Sequence, residues 1–149
     1  MTISKENIQK LREKTGAGVM DCKKALEEAD GDFEKAEEII KKKGIAIAEK
    51  KGERKTGSGL IEAYIHNDRV GVLLEIRCET DFVAKSEPFK ELTKEVAMQI
   101  ASMNPSNLEE LLEQPYIREQ SKTISDLVTE AISRIKENIK VERFIRYEI

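Results

Sequence analysis

Residues 59–78 constrain the architecture more than any other stretch of the chain. From Arg69 to Cys78 the apolar side chains Val70, Val72, Leu74, Ile76 and Cys78 recur at every second position, the period at which a strand sends successive side chains to opposite faces. Gly59 to His66 carries a second apolar set, Leu60, Ile61, Ala63, Tyr64 and Ile65, with Asn67-Asp68 between the two runs. Asn and Asp tolerate the positive φ of a tight turn, so the stretch predicts a β-hairpin, although the glycine that makes such turns strongest is missing. One face of that hairpin needs a cover, which the rest of the chain has to supply.

The cover follows it. Ser86 is a candidate cap, Pro88 suits a first helical turn, and Phe89, Leu92, Val96 and Ile100 fall at i, i+3, i+7 and i+11. That spacing predicts a helix lying on the sheet. Met103-Asn104-Pro105-Ser106 ends it. Leu108, Leu111 and Leu112 suggest a short second helix stopped near Gln114-Pro115, and Thr123 or Ser125 starts another with Ile124, Leu127, Ala131 and Ile135 in register. The last residues, Lys140 to Ile149, read as a third strand antiparallel to one hairpin strand, with Val141, Ile145, Tyr147 and Ile149 sharing a face with Arg143. The expected domain is β-β-α-α-β: a three-stranded antiparallel sheet covered by helices on one face, in the α+β class.

Ahead of the hairpin the pattern is helical throughout. Thr2 or Ser4 can cap a first helix with Ile8 and Leu11 buried, stopped by Thr15-Gly16-Ala17-Gly18. A second runs from about Val19 to Ala29 with Val19, Cys22 and Leu26 as its stripe. A third follows Asp32, sets Phe33, Ala36 and Ile40 on one face, and closes at Lys41-Lys42-Lys43-Gly44. The expected organisation is a three-helix domain over residues 1–44, a connector over 45–58 with a helical start, and an α+β domain over 59–149. A bundle of some 45 residues is marginal alone, so another element is expected to support it.

Composition narrows the function classes. At 149 residues, 37% charged and 39% hydrophobic, the chain reads as globular with a charged surface. No run approaches the length of a membrane span. Met1-Thr2-Ile3-Ser4-Lys5-Glu6 lacks the features of a secretory signal, so a cytoplasmic location is expected. A net charge of −3 argues against direct nucleic-acid binding. Lys41 to Lys43 and Lys50 to Lys55 have no interleaved aromatic residues and read as solvated. The two cysteines, Cys22 and Cys78, lie far apart with no companion at metal-ligand spacing, so packed thiols are expected and no metal or cofactor is implied.

Catalytic chemistry finds no support either. His66, the single histidine, has no Ser or Cys near it in sequence to activate, and Glu27-Glu28 and Glu109-Glu110 read as solvated helix faces. Gly57-Ser58-Gly59 lacks the Lys-Ser/Thr of a phosphate loop. The chain is therefore expected not to be an enzyme, and attention moves to side chains that a binding surface would expose. Met20 lies off the stripe of its helix, either exposed or packed on the third helix. Phe82 either joins Phe89, seven residues on, in one core stripe or projects from a separate turn. Pro88 disfavours the helical region for the residue before it, which weakens the unbroken helix that the core reading needs.

Two long segments settle which family to compare. Leu11-Arg12-Glu13-Lys14-Thr15-Gly16-Ala17-Gly18-Val19-Met20-Asp21-Cys22-Lys23-Lys24-Ala25-Leu26 and Cys78-Glu79-Thr80-Asp81-Phe82-Val83-Ala84-Lys85 resemble, in order, the ubiquitin-associated-like N-terminal domain and the core signature of the elongation factor Ts family. Glu137 to Phe144 is similar to the family's final strand. The resemblance implies exchange of GDP for GTP on elongation factor Tu, met in its GDP-bound and nucleotide-free forms. It assigns Thr80, Asp81, Phe82 and Val83 to an element that dislocates the partner's Mg²⁺, with Phe82 inserted between partner helices and Ala84 and Lys85 beside it. It further implies partner contacts for Arg12, Val19, Met20, Lys23 and Lys51. Longer family members hold two copies of the core subdomain and this chain has room for one. A homodimer joined through the core sheet is expected to supply the second, without a disulfide. The competing reading is an adaptor whose helical module binds another protein while the second domain only dimerises.

Overall fold

The computed structural model describes residues 3–149. Ser4 caps α1 (Lys5–Thr15), its hydroxyl accepting from Asn7 N at 3.1 Å; Thr2, the alternative cap, lies outside the described residues. Gly16 stops the helix in the left-handed region at φ 72°, where a side chain is disfavoured, and donates its N–H to Arg12 O at 2.7 Å. α2 (Val19–Glu28) buries Cys22, Ala25 and Leu26 against Leu11 of α1 and Ala36 of α3 (Phe33–Lys51).

Two expectations are corrected here. Val19 does not belong to the buried stripe: it is 47% exposed, and the stripe runs through Cys22, Ala25, Leu26 and Ala29. The third helix does not close at Lys41 to Gly44 but continues to Lys51. Gly44 is buried where α3 crosses the chain's last helix, and a Cβ there would sit 3.4 Å from Ser133 Oγ. The glycine does not terminate the helix; it lies at the contact between α3 and that last helix.

β1 (Ser58–His66) and β2 (Val70–Cys78) form the expected hairpin, with Leu60 opposite Ile76 and Tyr64 opposite Val72. Asn67 and Asp68 take φ 51° and 58°, and Arg69 N donates to His66 O at 3.1 Å to close the turn. After Cys78 come a single helical turn, α4 (Asp81–Ala84), and α5 (Glu87–Met103), which buries Phe89, Leu92, Val96 and Ile100 on the sheet. The short α6 (Leu108–Glu113) is followed by an additional small hairpin, β3 (Pro115–Tyr116) and β4 (Glu119–Thr123). Gln99, fully buried on α5, explains this segment: its Nε2 donates to Gln114 Oε1 at 3.2 Å and Pro115 O at 3.0 Å, and its Oε1 accepts from Ile117 N at 3.0 Å. Thr123, not Ser125, then caps α7 (Ile124–Ile135) in a capping box with Asp126.

β5 (Ile139–Glu148) pairs antiparallel with the open edge of β2, giving the order β1-β2-β5 and the α+β architecture expected. Its register holds a correction. Ile76 faces Val141 but the adjacent Glu75 faces Arg143, so Glu142 is the extra residue of a β-bulge. Side-chain parity flips there. Ile139 and Val141 point into the core opposite Cys78 and Ile76. Past the bulge, Phe144 and Arg146 take the inner face, while Arg143, Ile145 and Tyr147 turn outward. Val141 thus does not share a face with Ile145 and Tyr147. Arg146 uses its inward position to cap α5, its Nε and Nη2 donating to Ala101 O at 3.2 and 2.9 Å.

The helical part rests on the sheet part through α3 against α7. Arg134 of α7 donates to Thr15 O at 3.4 Å. Asn138, buried ahead of β5, donates through Nδ2 to Gly52 O at 3.4 Å and Arg54 O at 2.9 Å, holding the connector by its backbone.

Candidate partner-binding site

The break expected before Phe89 falls at Ser86, whose φ −75° and ψ 149° are extended, one residue ahead of the position that Pro88 restricts. Ser86 Oγ donates to Val83 O at 2.7 Å, tying off α4. Pro88 itself stands in the first turn of α5, where its missing N–H leaves no helical bond unmade. The segment is therefore a separate turn and not the start of a long helix.

That turn divides its side chains sharply. Val83 and Ala84 are buried in the core beside β1 and β2. Phe82 is 85% exposed and stands outside the core cluster. Asp81 and Lys85 flank it as an exposed ion pair at 3.0 Å. Thr80 caps the turn, its Oγ1 accepting from Val83 N at 3.3 Å.

The entry to the turn is held from the far end of the sequence. Glu137 Oε1 accepts from Glu79 N at 3.1 Å and Thr80 N at 3.0 Å, and Glu137 Oε2 accepts from Thr80 Oγ1 at 2.7 Å. In return Glu79 Oε2 accepts from Asn138 N at 2.6 Å. Arg54 of the connector lies 3.6 Å from the other oxygen of Glu79. Below, the buried Cys78 Sγ donates to Thr80 O at 3.2 Å; burial, reinforced by the Glu137 carboxylate, pushes its thiol up to about 11. Neither Glu137 nor Asn138 is legible as part of this site from spacing, because the contacts span more than fifty residues; the only signal was that Glu137 opens the third segment of family likeness.

On the helical part, Met20 is 60% exposed and Val19, Lys23 and Arg12 are exposed with it. Met20 and Lys23 lie three apart on α2 and so share a face. Lys51 is not brought to this group. It ends α3, some 11 residues past Ile40, which is about 16 Å of helix. Its carbonyl accepts from Arg54 N at 3.0 Å, so it belongs to the neighbourhood of the connector.

A cleft of about 450 Å³ lies elsewhere, between α1 and α3 on one side and β4 and α7 on the other. Two ion pairs line it, Lys14 with Glu37 at 2.6 Å and Lys122 with Glu130 at 2.9 Å. His66 is exposed, and its Nδ1 lies 2.9 Å from Tyr64 Oη. Among the described residues no His, Cys, Asp or Glu cluster is arranged to hold a metal ion, and no helix is long and apolar enough to cross a membrane.

The outer face of the sheet, opposite the helices, is apolar. Ile65, Gly71 and Tyr147 form one cross-strand row and Ala63, Leu73 and Ile145 the next. All four large side chains in these rows are exposed. A third row joins Ile61, Glu75 and Arg143; Glu75 accepts from Arg143 and from Arg77 two residues along β2, and the two hold its carboxyl below the usual carboxylate range.

Comparison with known proteins points to one family. Residues 79–149 match the family model described as Elongation factor TS. The elongation factor Ts of Thermodesulfovibrio yellowstonii is 40% identical over 193 aligned positions, covering 100% of this chain and 97% of the relative. That of Thermotoga maritima is 46% identical with the same coverage, and that of Carboxydothermus hydrogenoformans 42% identical, covering 99% of this chain and 89% of the relative. The aligned length of 193 exceeds the 149 residues of this chain, so the first two relatives carry internal residues that it lacks.

Proposed function

The chain belongs to the elongation factor Ts family, whose members are translation elongation factors, and on that premise we propose that it is the guanine-nucleotide exchange factor of elongation factor Tu. It is no enzyme in this reading. It binds the GDP-loaded GTPase, dislocates the Mg²⁺ ion there, and holds the nucleotide-free state until GTP rebinds. It works in the cytoplasm, with no nucleic acid as a direct partner.

The observation that carries the reading is Phe82, 85% exposed on a turn whose next two residues are buried. An exposed aromatic does nothing for this fold. Inserted between helices of a partner, a Phe side chain contributes about 2 to 3 kcal/mol, roughly 30- to 150-fold in an equilibrium. Mg²⁺ demands near-octahedral geometry, so a small displacement of the helices that carry its ligands weakens it greatly. Thr80, Asp81 and Val83 complete the element, with Ala84 and Lys85 at its rim. Linkage makes the effect reciprocal: binding the nucleotide-free partner more tightly lowers nucleotide affinity by the same factor, and incoming GTP expels the exchange factor.

Residues 1–44 act as the docking module, contacting the nucleotide domain of the partner through Arg12, Val19, Met20 and Lys23. The exposure of Met20 and Val19 supports that assignment. Lys51, in the connector over 45–58, contacts the partner separately. Residues 59–149 carry the wedge and dimerise through the outer sheet face, which supports a homodimer because exposed apolar rows of this kind are unusual on a monomer.

The test is release of fluorescent GDP from purified elongation factor Tu under an excess of unlabelled GDP. Acceleration that saturates with the concentration of this protein is the expected result. No acceleration sinks the exchange reading and leaves the adaptor as the alternative.

A further inference from the structure

We propose that Glu137 is the positioning residue that aims Phe82, acting through Thr80; the inference rests on the reading of Phe82 as the wedge. α4 has four residues, too few for a helix to hold its own axis. Its direction has to be set by what grips its first residues.

Glu137 supplies that grip on three groups at once. One carboxylate oxygen takes the N–H groups of Glu79 and Thr80, at 3.1 and 3.0 Å, and the other takes the Thr80 hydroxyl at 2.7 Å. The third bond also selects the rotamer of the cap. With its proton committed to Glu137, Thr80 Oγ1 presents a lone pair to Val83 N at 3.3 Å, which fixes the peptide that follows Phe82. Bonds to a charged acceptor are stronger than neutral ones, and the reciprocal bond from Asn138 N to Glu79 closes the lock from the other side. Because Asn138 also holds the connector carbonyls, the same junction ties the aim of the wedge to the helical part.

A group that merely anchored the start of β5 would have no need of the Thr80 hydroxyl. The two roles separate by experiment, in the full chain, with Glu137→Ala and Glu137→Gln measured on the natural background and on Phe82→Ala. On the natural background, Glu137→Ala lowers the saturated rate of GDP release by about tenfold, the consequence of losing charge-assisted bonds at the cap. Glu137→Gln keeps an acceptor for the two N–H groups but opposes an NH₂ to Thr80 Oγ1, and lowers it by about threefold. On Phe82→Ala, where no wedge remains to be aimed, neither change lowers the residual rate further. Equal losses on both backgrounds, or no loss on either, overturn the proposal.

Hydrogen exchange of the Val83 amide in the free protein reads the same tether without the partner. Glu137→Ala raises that exchange while amides in β2 and α5 stay protected, and unchanged protection at Val83 overturns the proposal. If Phe82→Ala alone leaves GDP release intact, the wedge reading falls by itself, and the Val83 amide still decides whether Glu137 holds the turn. Should Glu137→Ala fail to fold, Glu137→Gln, which keeps the acceptor for the two N–H groups, takes its place in each comparison.

Discussion

Replacing Phe82 by alanine separates the wedge from the fold, and its neighbour provides the scale. Phe82 is 85% exposed and outside the core, so truncating it changes stability by no more than about 0.5 kcal/mol. For a chain of this size that moves the melting midpoint by about 2 °C at most. Val83 is 8% exposed and belongs to the core, and Val83→Ala removes buried carbons worth about 2 kcal/mol, lowering the midpoint by roughly 4 to 8 °C. In the exchange assay the order reverses. Phe82→Ala forfeits the 2 to 3 kcal/mol of a buried aromatic and lowers saturated GDP release by roughly 30- to 150-fold, whereas Val83→Ala, assayed well below its midpoint, loses far less. Calorimetry and stopped-flow GDP chase on the same preparations give both numbers. The reasoning is refuted if Phe82→Ala melts as early as Val83→Ala, or if it releases GDP as fast as the unsubstituted protein.

Leu73→Lys places a charge at the centre of the apolar outer rows without touching the core. If the proposed dimer forms through these rows, sedimentation is expected to show the unsubstituted chain as a dimer and Leu73→Lys as a monomer at the same concentration, with the variant's melting midpoint independent of concentration. Asn138→Ala leaves the carbonyls of Gly52 and Arg54 without their donor and lowers unfolding free energy in urea by about 1 to 3 kcal/mol, with faster proteolysis at residues 52–57. Cys78 supplies a pH dependence of known sign. Its folded-state value of about 11 lies above the ordinary 9.0, so its contribution to stability is complete below pH 9 and is lost as pH rises toward 11. Urea midpoints measured from pH 8 to 11 should therefore fall less steeply for Cys78→Ala than for the unsubstituted chain.

The fold was legible where side chains repeat locally. The hairpin and the α5 face each depend on residues within a turn or two of one another, so period sufficed, and cap chemistry narrowed the start of α7 to Thr123 or Ser125. The misreadings came from contacts that no local pattern encodes. Lys41 to Gly44 has the composition of a helix terminus, yet the helix runs on through it and Gly44 lies buried against Ser133, eighty-nine positions on. Val141 and Ile145 sit four apart in a strand and ought to share a face; the bulge at Glu142 breaks the count, and it is visible only in the pairing with Glu75 and Ile76.

The site shows the same limit, with a consequence for how it works. Phe82 was ambiguous by periodicity, and the proline that argued for a separate turn marked the break to within one residue. What aims the turn could not be read locally, because the grip on Thr80 comes from Glu137 and the counter-grip on Glu79 from Asn138. An element this short does not carry its own rigidity. It borrows it from the junction where β2 ends and β5 begins, two strands already locked side by side by the sheet. For the proposed wedge, a load on Phe82 would pass through Thr80 and Glu137 to the adjoining ends of β2 and β5. The segment of family likeness from Cys78 to Lys85 therefore holds the tip of the proposed wedge, while Glu137, proposed as its base, lies more than fifty residues away.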